Sequence, residues 1–221
     1  QMNTVMPTMK KSLLALAVAG TMAMSGAFAA DVAGDGATTT AAMNFTTGTD
    51  YTLTSDAAIT MGQVTNTTTN EGTISLGHTT TTVAIGSTGA GIKALDITAA
   101  TTTLGGTVKA TTITISSGAT LDAATNNVTG AVANAGTLNL TTGVVSGAIT
   151  GAGVVNFAGT QTTGDAITAT TINVDSGTVT AGGAIAGAVV VDSGTVLSMG
   201  DNAVTGAVAN AGTLNLTTGV V

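Results

Sequence analysis

The sequence predicts an all-β fold: a parallel β-solenoid of about ten rungs of roughly 18 residues, each strand pairing with the rung above and below at about 4.8 Å. Three observations lead there. One string, Val-Thr-Gly-Ala-Val-Ala-Asn-Ala-Gly-Thr-Leu-Asn-Leu-Thr-Thr-Gly-Val-Val, occurs at 128–145 and again without a mismatch at 204–221. A smaller turn-and-strand unit recurs between and around the copies. The composition, with 31 Gly, 7% charged and 2% aromatic residues, no Cys and no Trp, lacks the charge and aromatics of an ordinary globular enzyme, yet 43% hydrophobic content is too high for a disordered tail.

In chain order, residues 1–8, ahead of Met9-Lys10-Lys11, read as upstream or mis-started sequence. Residues 9–29 read as a secretory signal peptide: Lys10 and Lys11 form a basic opening, Leu13 to Met24 an apolar stretch, and Ala27-Phe28-Ala29 a small-residue cleavage site. That apolar run falls short of the roughly 20 residues of a membrane span. Residues 30–64 form a less regular N-terminal segment whose Phe45, Tyr51 and Leu53 suit a cap. Residues 65–221 are the solenoid repeats. Val220-Val221 stops where the first copy continues into Ser146-Gly147-Ala148-Ile149, so the array is expected to continue and the chain to be a fragment.

Each rung has a local cause. The recurring unit reads Asn70-Glu71-Gly72-Thr73-Ile74, Asn134-Ala135-Gly136-Thr137-Leu138, Asp175-Ser176-Gly177-Thr178-Val179, Asp192-Ser193-Gly194-Thr195-Val196 and Asn210-Ala211-Gly212-Thr213-Leu214. Looser versions begin at Ser116 and Gly151. Asn, Asp or Ser two places before Gly fits a turn, because the side-chain oxygen accepts a backbone N–H two residues on and Gly tolerates positive φ. The Thr-apolar-polar-apolar run that follows alternates with period two and is rich in β-branched residues, the mark of a short strand. The marker glycines are Gly118, Gly136, Gly153, Gly177, Gly194 and Gly212, evenly spaced but for a longer step from Gly153 to Gly177, which implies one insertion near 160–169. One such unit has too little apolar surface to fold alone, so stacking on neighbours must supply the core.

The Asn-x-Gly-Thr-Leu-x-Leu turns, and the run Gly-Ala-Ile-Thr-Gly-Ala-Gly-Val-Val-Asn-Phe at 147–157, resemble the passenger repeats of Gram-negative autotransporters and related large surface antigens. The resemblance covers about 65–221 plus the signal peptide. It implies an exported protein at the cell surface, in the outer membrane or outside the cell, with adhesion, coating or self-association as its work, and a host or neighbouring cell surface, or another copy, as partner. It also implies a C-terminal membrane barrel, which this stretch of sequence lacks.

The sequence assigns no catalytic, cofactor-binding or metal-binding residue. His78, flanked by Gly77 and Thr79, reads as solvated surface. No Gly-x-Ser-x-Gly elbow or phosphate-binding Gly-rich loop occurs. Ala33-Gly34-Asp35-Gly36 is a single approximation to a calcium-binding repeat. Beyond the signal peptide, eleven acidic residues face only Lys93 and Lys109, which argues against nucleic acid or an anionic membrane as partner. Nothing points to a small-molecule substrate. An extracellular carbohydrate-active β-helix is the alternative from another class, but it calls for paired carboxylates or basic residues, and here Arg is absent and the acids are singly spaced. A Thr ladder that binds ice is a further alternative. Thr101-Thr102-Thr103 and Thr112-Ile113-Thr114 invite it, but the sequence then offers Thr171-Ile172-Asn173 and Val190-Val191-Asp192, and the column is not kept.

Overall fold

The computed structural model describes residues 63–66, 71–86 and 90–221, together with the backbones of short strands between Met22 and Thr60. Every strand pairing in it is parallel, and no helix occurs among the described residues. The chain winds as a three-sided coil, and its sides follow from the register.

The first face carries Glu71–Leu76, Ile92–Ile97, the second halves of Val108–Ile115 and Val128–Asn134, then Ile149–Thr150, the starts of Ile167–Ser176 and Ile185–Val191, and Val204–Thr205. The second carries Thr80–Thr82, Thr101–Leu104, Thr120–Asp122, Thr137–Leu140, Val154–Ala158, the later parts of Ile167–Ser176 and Ile185–Val191, and Val208–Asn210. The third face includes Gly143–Val145, Gln161–Thr163, Thr178–Ala181, Val196–Gly200 and Thr213–Leu216.

Alternation puts one side chain of each pair inside. On the first face Ile74, Leu95, Ile113, Val132, Ile149, Ile167, Ile185 and Val204 stack in register and are all buried, one for each of eight turns. On the second face Leu121, Leu138, Val155, Ile172 and Val189 form the matching column, with the same chain length between every successive pair. Beside it Leu140, Phe157, Val174 and Val191 line up, and Phe157 is fully enclosed. The core is thus a continuous aliphatic cylinder that no single turn could enclose.

The eight turns compare with the ten rungs counted from about residue 41. The difference lies in the starting point, since the eight begin at Ile74 and the count from sequence began nearly two unit lengths before it. Toward the N-terminus, Thr52–Ser55 pairs with the strand at 71–76, and Ala29–Val32 pairs with Thr52–Ser55. Tyr51 and the side chains of Phe45 and Leu53, read as cap material, lie outside the described residues, as does the signal-peptide stretch 9–29 except for Met22–Met24 and Ala29.

The insertion expected near 160–169 does not exist. Gln161–Thr163 is a third-face strand, and Ile167 sits in the first-face core column without a break. The marker turn itself changes place. Gly118, Gly136 and Gly153 lead into the second face, whereas Gly177, Gly194 and Gly212 lead into the third. The long step from Gly153 to Gly177 is therefore one turn plus one face.

The identical strings record the same advance. Val128 lies on the third face and Val204 on the first. Asn139 belongs to the second face and Asn215 to the third. Local structure nonetheless repeats: Asn134 Oδ1 accepts the Gly136 N–H, and Asn210 Oδ1 accepts the Gly212 N–H, each at 3.1 Å. A Cβ on Gly136 would run into the carbonyl oxygens of Ser116 and Ala119, and one on Gly212 into those of Asp192 and Thr195. Close approach, rather than the positive φ inferred from sequence, fixes glycine at these two positions. Gly194, at φ +81°, is a marker that does need the left-handed region.

Candidate functional surface

The described residues form a prism, and what it offers a partner is its outward ranks. On the second face two ranks run along the axis. One is Thr101, Thr120, Thr137, Val154 and Thr171; the other is Thr103, Asp122, Asn139, Asn156 and Asn173. The second rank is wired together: Asn156 Nδ2 donates to Asn139 Oδ1 and Asn173 Nδ2 donates to Asn156 Oδ1, both at 2.8 Å. Asp122 Oδ1 accepts the Ala124 N–H at 3.0 Å. The first face is smaller in relief, with Ala133, Thr150, Thr168, Ala186 and Thr205 in one rank. The third face is mixed, with Val144, Thr162, Thr180, Ser198 and Asn215.

This register overturns the sequence comparison made for a Thr ladder. Thr112-Ile113-Thr114 is on the first face, beneath Ala131 and Ala133, while Thr101-Thr102-Thr103 and Thr171-Ile172-Asn173 share the second. Strands compared as one column belonged to two, yet the outcome stands, because on the second face no outward Thr pair follows Thr101 and Thr103 and the ranks run on into Ala188 and Val190.

Charge is kept off the sides over most of the rod. From Ala123 to Val221 the charged residues are Asp165, Asp175, Asp192 and Asp201. All four are exposed, in corners or at a strand end. The acids read as singly spaced include one stacked pair, because Asp175 and Asp192 follow Val174 and Val191, which pair directly. Partial desolvation of the carboxyl against the coil, and secondarily the neighbouring Asp192 carboxylate, raise Asp175 above its ordinary range. A separation of one full turn of the coil was the available signal.

His78 is exposed between Leu76 and Thr80, and its carbonyl accepts the Thr80 hydroxyl at 2.9 Å. Among the described residues no three His, Cys, Asp or Glu side chains are grouped to hold a metal ion. Ala33-Gly34-Asp35-Gly36 lies outside them. A shallow depression of about 400 Å³ opens at the corner between the first and second faces, lined by Thr114, Ser116, Ala133, Asn134 and Thr150 among others. Asn134 is committed there to the turn and to the Val154 carbonyl, 2.9 Å away. Inside the coil, the Thr82 and Thr102 hydroxyls are buried without a hydrogen-bond partner.

No known family model matches the chain, and no curated protein or solved structure shows significant similarity to it.

Proposed function

We propose that this chain is a non-enzymatic structural or adhesive rod of the autotransporter-passenger kind, exported to the cell surface, the outer membrane or the extracellular medium. It acts through repeated weak contacts with a host or neighbouring cell surface, or with further copies of itself. The observation that carries the reading is the repetition of outward ranks over successive turns, with Asp122 the single acid in the two ranks of the second face. A ligand that gains little from one turn gains from several at once, since linked sites raise the effective concentration of each later contact. The rod also holds its sites at fixed intervals, so no linker entropy is lost when the second and third engage.

Latex beads coated with the full chain at graded densities test this. Bead clumping or attachment to cultured cells should rise more steeply than in proportion to density. No attachment and no clumping at the highest density would remove the reading.

A further inference from the structure

We propose that the second face binds ice, its two outward ranks templating an ordered layer of water. This goes beyond an adhesive rod, because it assigns one side of the prism a ligand of defined chemistry. The ranks repeat about every 4.8 Å along the axis and stand roughly 6.6 Å apart, the span of two strand positions. The axial interval is set by strand pairing and is the same at every turn of the face.

Three features suit the face to that ligand. Its strands stay in register from Thr101 to Val174, and the shift at Phe157/Ala158 falls beyond the outward pair of that turn. Its carboxamide rank is held by the bonds from Asn156 to Asn139 and from Asn173 to Asn156. Those side chains have therefore lost their rotamer freedom before any water is ordered against them. The third feature is charge. Asp122 is the single ionisable group in the ranks, and its Oδ1 is occupied by the Ala124 N–H. A field of charges would orient water toward itself, whereas hydroxyls, methyls and carboxamides leave the lattice to set the orientation. Val154 interrupts the Thr rank with a side chain of the same shape, which keeps the methyl where its neighbours have one.

Ice-affinity partition of the purified full chain is the test. Ice is grown slowly through the solution, and the ratio of protein in ice to protein in liquid is read against a non-binding control protein. The chain should be enriched several-fold over the control. Thr137→Lys with Thr171→Lys should bring the ratio down to the control, and Thr150→Lys with Thr168→Lys, on the first face, should leave it unchanged. Circular dichroism checks that each variant stays β-folded; if the lysines unfold the second face, Thr137→Ala with Thr171→Ala makes the same comparison. A wild-type ratio equal to the control overturns the proposal, and so does an equal fall for both face variants.

Discussion

Asn139 and Asn215 hold the same position in two identical stretches of sequence, and they project from different sides of the same coil. The relationship can be measured directly, because the chain has no native Cys. Asn139 and Ala209 share one column through Asn156, Asn173 and Val190, four turns or about 19 Å along the axis. Spin labels on Asn139→Cys with Ala209→Cys should report a distance near that figure, and on Asn139→Cys with Asn215→Cys a clearly longer one. Equal distances would place the two copies on one face.

The carboxamide ladder should respond unequally to truncation. Asn156 both donates and accepts, whereas Asn173 is joined to it by one bond. Asn156→Ala is expected to cost about 1–2 kcal/mol in urea unfolding and Asn173→Ala about half as much, as each bond on a half-exposed surface is worth on the order of 1 kcal/mol. Equal losses would show that the bonds contribute little.

The two kinds of marker glycine should separate. Gly194→Ala meets no atom within 4 Å and costs only the backbone term, about 1–2 kcal/mol. Gly136→Ala drives a methyl into two carbonyl oxygens, and about 3 kcal/mol or more is expected as the turns are pushed apart. Chemical denaturation of both variants makes the comparison, and a Gly194 cost above that of Gly136 would contradict the geometry.

Thr102→Val should stabilise the coil. Its hydroxyl is buried with no partner, and the methyl that replaces it fills the same space, a gain of about 1 kcal/mol. Thr80→Val is the counterpart, since it gives up the bond to the His78 carbonyl and should gain less or lose. Thermal melts of the two variants rank them.

The Asp175 carboxyl sets a pH dependence with a definite sign. Its folded-state pKa is raised above the ordinary value of 3.8, so the native state holds the proton more tightly than the unfolded chain. Stability from this group is present in acid and declines as pH rises from about 3.8 through the raised value. Asp175→Asn should therefore match the parent at about pH 3 and exceed it in melting temperature at about pH 7. A lower melting temperature at neutral pH would mean that the carboxylate has a favourable partner.

The period was legible because burial alternates strictly, as in Leu138, Asn139 and Leu140, and because a turn must close at every corner. The number of faces was not, since alternation distinguishes inside from outside and is blind to which side of the coil a strand occupies. Corners reset the alternation, since successive inward residues of the second face such as Leu138 and Val155 stand an odd number of residues apart and are both buried, so a unit moved by one face keeps its inward and outward positions. That is why the long step between Gly153 and Gly177 looked like an insertion, why the Thr columns were matched across two faces, and why the Asp175 and Asp192 pair went unnoticed. Gly136 was recognised as necessary for the wrong reason, because a collision with the carbonyls of another turn leaves no trace in local sequence.

The one-face offset between the identical stretches also bears on how such a rod changes over generations. A recombination event between the two identical stretches need not add or remove whole turns to give a chain that still buries its aliphatic side and exposes its polar one. Length then changes by about four turns and one face at each event, and the pattern beyond the junction turns about the long axis by that one face. A lineage carrying such a gene could redistribute its surface chemistry around the rod without a single amino-acid substitution.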